Sequence, residues 1–98
     1  MSQSILFNMY LINRMAEVGI DQLELARELG YRTLVKTSQW CRGDALPPSY
    51  MLPGIAVVLK ASPVEVAVIW MMSKVPELEQ VLRKEVLEPR GVDLPRQL

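Results

Sequence analysis

The segment from Tyr31 to Arg42 carries the side chains best suited to acting on a partner. It holds three cations, Arg32, Lys36 and Arg42, and no acid. Thr33, Thr37, Ser38 and Gln39 place neutral hydrogen-bonding groups among them. Cations hold phosphates, and arginine or glutamine can read the edges of bases. The bland alternative is an ordinary solvated helix face, since short charged windows are common. This window stands out against a balanced chain. Eleven Lys and Arg against eleven Asp and Glu give zero formal net charge over 98 residues. A chain that is basic all over is therefore excluded, whereas a local basic face is not.

Other chemistries have little to work with. The chain contains no histidine, which removes zinc sites built on Cys and His and also His-based triads. Its one cysteine, Cys41, cannot form an internal disulfide, so a reducing, cytoplasmic setting is expected. Cys41 has Arg42 beside it but no histidine base, and reads as a small buried filler rather than a nucleophile. The carboxylates are spread among helix caps and ion pairs, with no identifiable acid/base pair. An enzyme is not expected, nor is a metal or cofactor. The N-terminus lacks a basic region followed by an apolar core and a cleavage site, so no signal peptide is expected. The longest apolar stretch, Val66 to Met72, falls far short of the roughly 20 residues of a membrane span.

The elements that must position the window read as helices. Ser4 is placed to cap a first helix over about Ile5–Val18, closed by Gly19. Ile5, Met9, Ile12 and Ala16, with Leu11, Met15 and Val18, are its apolar positions, and its first half is apolar nearly all round. Asp21 with Glu24 forms a capping-box pattern for a short helix, about Gln22–Leu29, whose inner face is Leu25, Ala26 and Leu29. A third helix over Leu34–Arg42 has Thr33 as its cap, and Gly43 and Pro47-Pro48 follow as loop signals. A fourth starts near Tyr50–Leu52, because Pro53 cannot sit deep in a helix, and ends around Lys60; Ile55, Val58 and Leu59 are its core positions. Ser62-Pro63-Val64-Glu65 opens a fifth helix that reaches about Met72. A sixth spans about Glu77–Leu87, with an apolar stripe of Leu78, Val81, Leu82 and Val86 and a Glu79–Arg83 pair. Residues 1–88 thus form one all-α domain. Residues 89–98 form a tail without periodicity, expected to be disordered or to dock on a partner.

The order of these parts is specific. Gln22-Leu23-Glu24-Leu25-Ala26-Arg27-Glu28-Leu29-Gly30 is followed by a turn and by Ser38-Gln39-Trp40-Cys41-Arg42-Gly43. A proline loop, Leu52-Pro53-Gly54-Ile55-Ala56-Val57-Val58-Leu59 and Ser62-Pro63-Val64-Glu65 come next. From about residue 9 to residue 70 this pattern resembles the lambda-repressor-like helix-turn-helix family of phage repressors and Cro-type proteins. Three features depart from the family pattern. The Gly30–Gly43 stretch is about one residue longer, Cys41 stands where glutamate is common, and the usual glutamine at the head of the recognition helix is absent.

The resemblance implies a bundle of five helices plus a C-terminal helix, with the third lying in the major groove of duplex DNA. It also implies that Gln22 contacts a phosphate, an anion contact that helix N-termini favour in their own right. The expected DNA-binding residues are Gln22, Arg32, Thr33, Lys36, Thr37, Ser38, Gln39 and Arg42. Trp40 is expected to pack rather than to stack on bases. Val64 to Met72 is apolar on nearly every side, so a homodimer through the fifth and sixth helices is expected, with Val66, Ile69, Trp70, Leu78 and Leu82 at its interface. The function expected is sequence-specific transcription regulation. The alternative is a protein-binding inhibitor or adaptor that uses the same fold without DNA.

Overall fold

The computed structural model describes residues 5–92, and every described element is helical or turn. Helix α1 spans Ile5–Val18, α2 Gln22–Glu28, α3 Val35–Arg42, α4 Leu52–Val58, α5 Pro63–Lys74 and α6 Glu79–Leu82. Tighter 3-10 turns at Ser49–Met51 and Pro76–Leu78 lead into α4 and α6, and a wide π turn at Arg83–Leu87 follows α6. None of the described helices is long and apolar enough to cross a membrane.

Local capping signals explain where α2 and α5 start. The Asp21 carboxylate accepts from the Glu24 amide at 2.8 Å, and Glu24 accepts from the Asp21 amide at 3.0 Å. This reciprocal pair satisfies two donors that α2 would otherwise leave open. The Ser62 hydroxyl accepts from the Glu65 amide at the head of α5, with Pro63 in the first turn. Helix α1 has a cap from a distant element: the Phe7 amide donates to the buried Ser73 hydroxyl of α5 at 2.9 Å. Ser4, the cap expected there, lies outside the described residues. Gly43 closes α3 with φ +78°, a left-handed turn that glycine takes without steric cost. Lys60 takes the same conformation after α4, at φ +54°, without being glycine. There the Arg14 guanidinium reaches across from α1 and donates to the carbonyls of Leu59 (2.7 Å) and Lys60 (3.0 Å).

One core joins all the helices. Phe7 and Leu11 of α1, Leu25 of α2, Trp40 of α3, Ile55 of α4, Val66, Ile69 and Met72 of α5, and Leu59 and Leu87 are wholly or almost wholly buried together. Helix α1 is the central member and packs on both α3 and α5; α4 packs on α5, and α2 on α3 and α4.

Four expectations need correction. The buried side of α1 is Leu6, Phe7, Tyr10, Leu11 and Met15, while Met9, Ile12 and Ala16 face outward. A helix that is apolar nearly all round gives periodicity no means of choosing between sides. Val66 and Ile69, expected at a subunit interface, are consumed by the chain's own core and present no surface to a second copy. The last helix is not a continuous α-helix. The Glu88 amide bonds to the Arg83 carbonyl, five residues back, the wide pattern of a π turn. Leu87 lies in the core on the same face as Arg83, one turn earlier, and Val81 of the expected stripe is 58% exposed. Arg83 itself is buried and paired with Glu79 at 2.9 Å. Residues 89–92, expected in the tail, fold back onto the body: the Val92 amide donates to the Leu87 carbonyl at 3.0 Å, and Val92 packs against the core. Residues 93–98 lie outside the described residues.

Candidate nucleic-acid interface

Helix α3 divides cleanly into two sides. Thr37, Trp40 and Cys41 are buried, at the i, i+3, i+4 spacing of one helix face. Trp40 is 2% exposed and meets the Tyr31 ring edge-on at 6.0 Å, so it packs, as its position implies. The Asn8 side-chain amide of α1 donates to the Cys41 carbonyl at 3.0 Å, tying the far end of α3 to α1. Cys41 lies against Met15, sulfur to sulfur at 3.8 Å, and burial pushes its thiol pKa up. A thiol made less acidic in this way is a poor nucleophile.

Thr37 was expected to contact DNA, and the structure corrects this. It is wholly buried, and its hydroxyl lies within donating distance of the carbonyls of Gln22 (3.0 Å) and Leu34 (3.1 Å). Its role is to fix the first turn of α3 onto the start of α2. Gln22 is half-buried there. With Ile12, Met15, Ala16, Ile20, Asp21 and Cys41 it lines a shallow groove of about 260 Å³.

The outward side of α3 carries the remaining candidates. Lys36 is exposed, Gln39 is half-buried, and Arg32 and Thr33 are exposed in the connection before the helix. Arg42 is exposed but engaged: it pairs with Asp44 at 2.8 Å and donates to the Ser38 hydroxyl at 3.0 Å. Asp44 offsets part of its charge. Ser38 is correspondingly occupied, which leaves Arg32 and Lys36 as the principal cations of this face. Both project from a segment with no carboxylate between residues 29 and 43.

The cap and the head of α3 differ from the sequence expectation. The helix begins at Val35, and its N-cap residue is Leu34, which makes no side-chain cap bond. Thr33, the expected cap, only brings its hydroxyl to 3.5 Å from the Val35 amide. Leucine in place of a Ser, Thr, Asp or Asn cap forgoes about 1 kcal/mol of helix stabilisation. Leu34 and Val35 are 41% and 55% exposed and stand between Arg32 and Lys36. Charge and polarity pointed to their neighbours and passed over this pair. The inward triad contains a usable signal, because with Thr37, Trp40 and Cys41 inside, a 3.6-residue period puts Val35, Gln39 and Arg42 outside.

Among the described residues no group of three or more Cys, Asp and Glu side chains is gathered to hold a metal ion. Compared with known proteins, the chain matches no family model, no curated protein and no solved structure.

Proposed function

We propose that the chain is a sequence-specific DNA-binding domain in which α2 and α3 form a helix-turn-helix unit of the lambda-repressor type. Helix α3 lies in the major groove and acts in transcription regulation. The observation that carries this reading is the two-sidedness of α3. Its inner side is locked by Thr37, Trp40 and Cys41, and its outer side and approach present Arg32, Thr33, Lys36 and Gln39 without an acid. A rigid helix with a cationic, hydrogen-bonding outer face is what reading a groove requires. Phosphate contacts fall to Arg32 and Lys36, and hydrogen bonds to base edges to Gln39 and Thr33.

Two copies would serve two half-sites about 34 Å apart. With Val66 and Ile69 buried, the surface proposed for the twofold contact is Trp70, Leu78 and Leu82, extended by the exposed Met71 and Val81. Selection of bound fragments from a genomic duplex library tests both points. A reproducible palindrome supports the reading, and failure to retain any duplex at low salt removes it.

A second reading is a protein-binding adaptor built on the same fold. The groove of about 260 Å³ favours it, because Ile12, Met15, Ala16 and Ile20 give it a largely apolar wall at the start of α2. In that case DNA affinity is weak and Lys36→Ala leaves it unchanged.

A further inference from the structure

We infer that Leu34 and Val35 read thymine methyl groups, so that the preferred duplex carries A·T pairs beneath the head of α3. This inference rests on the DNA-binding reading above and specifies what that site selects. Single exposed apolar side chains are ordinary on any protein surface. Leu34 and Val35 differ in being consecutive and in standing at 41% and 55% exposure at the start of the helix that carries the cationic face. Capping does not account for Leu34, since it occupies the cap position without making a cap bond. Arg32 and Thr33 precede the pair and Lys36 follows it, all exposed. A surface with an apolar centre and a cationic margin complements a partner with the reverse arrangement, apolar spots between rows of anions.

The major groove of B-DNA has that arrangement. Its edges offer donors and acceptors at every pair, and the thymine C5-methyl is the one apolar group among them. In the helix-turn-helix docking geometry the first residues of the recognition helix approach base edges. An apolar side chain held over a G·C pair would cover polar atoms without bonding them, which costs affinity. Over a thymine it buries a methyl group. Leu34 and Val35 thus supply discrimination where a longer polar residue would make hydrogen bonds, and Arg32 and Lys36 supply the attachment.

Replacing thymine with deoxyuridine tests this, because it removes the methyl and leaves every phosphate, donor and acceptor in place. Duplexes enriched from a random-sequence library by the wild-type chain are remade with dUTP in place of dTTP. The affinity of the deoxyuridine duplex should fall about fourfold for each contacted methyl, the equivalent of one buried methylene. The double variant Leu34→Ser with Val35→Ser should bind the thymine and deoxyuridine duplexes equally and keep the wild-type salt dependence. Both positions are exposed, so the variant should fold, which circular dichroism checks directly. Equal wild-type affinity for the two duplexes overturns the inference and leaves the DNA reading intact. Discrimination that persists in the double variant assigns the effect to DNA shape and also overturns it. Failure of the wild-type chain to enrich any duplex removes the DNA-binding reading itself.

Discussion

Lys36 and Thr37 are neighbours in α3, the first exposed and the second wholly buried, and their substitutions should part company. Thr37→Val keeps the shape and the β-branch, so helix propensity barely changes. What it loses is the buried hydroxyl, which has one proton to share between the Gln22 and Leu34 carbonyls at 3.0 and 3.1 Å. The Leu34 carbonyl keeps its backbone partner, the Ser38 amide at 2.8 Å, so it is not left unpaired. The cost is then that of one net buried hydrogen bond, about 1 kcal/mol. In a domain of this size that lowers Tm by roughly 4–8 °C. Lys36→Ala removes an exposed side chain and should change stability by less than about 0.5 kcal/mol. Urea unfolding followed by far-UV circular dichroism, with m-values compared across the three proteins, measures both. DNA affinity should show the reverse pattern, with the larger loss in Lys36→Ala. If Thr37→Val proves as stable as wild type, or Lys36→Ala unfolds as early as Thr37→Val, the assignment of inner and outer sides is wrong.

Substitutions at three further positions probe what holds the scaffold in place. Arg14→Met removes charged hydrogen bonds to the Leu59 and Lys60 carbonyls and should cost about 1.5–3 kcal/mol in urea unfolding, with Arg14→Lys in between. Lys60→Gly relieves a left-handed residue at φ +54° and should raise Tm, by an amount equivalent to at most about 1 kcal/mol; a lower Tm contradicts the strain. Burial and the hydrogen bond to Glu65 push the Tyr10 phenol pKa far up, so the folded state holds a proton that the unfolded state gives up above about pH 10. Stability should therefore be insensitive to this group below that pH and fall as pH rises beyond it. Tyr10→Phe should flatten the fall, as followed by thermal melts between about pH 8 and 11.

The features legible in the sequence are those fixed by local chemistry. Asp21 with Glu24 and Ser62 with Pro63 and Glu65 mark helix starts because a cap bond spans only three residues. Gly43 marks a helix end because few other residues accept its backbone angle. The misread features were set at a distance. Thr37 looks like a surface hydroxyl until α2 closes over it. Met9 and Ile12 look like core until α5 and α3 claim the opposite side of α1. Leu87 is wholly buried and Val86 only half-buried because the inward face takes in Arg83, paired with Glu79, and Leu87 lies one turn beyond it; an apolar stripe does not include an arginine. The outward position of Val35 follows from the inward Thr37, and so becomes legible only once the structure shows that Thr37 is buried.

The most direct test of DNA binding is the salt dependence of affinity for the selected duplex, in wild type and in the Arg32→Ala and Lys36→Ala variants. Phosphate contacts release counterions, so log K should fall steeply with log salt for the wild type, and each substitution should lower the slope by about 0.9. Identical slopes in all three proteins, or no duplex retained at about 50 mM salt, would contradict a DNA-binding α3.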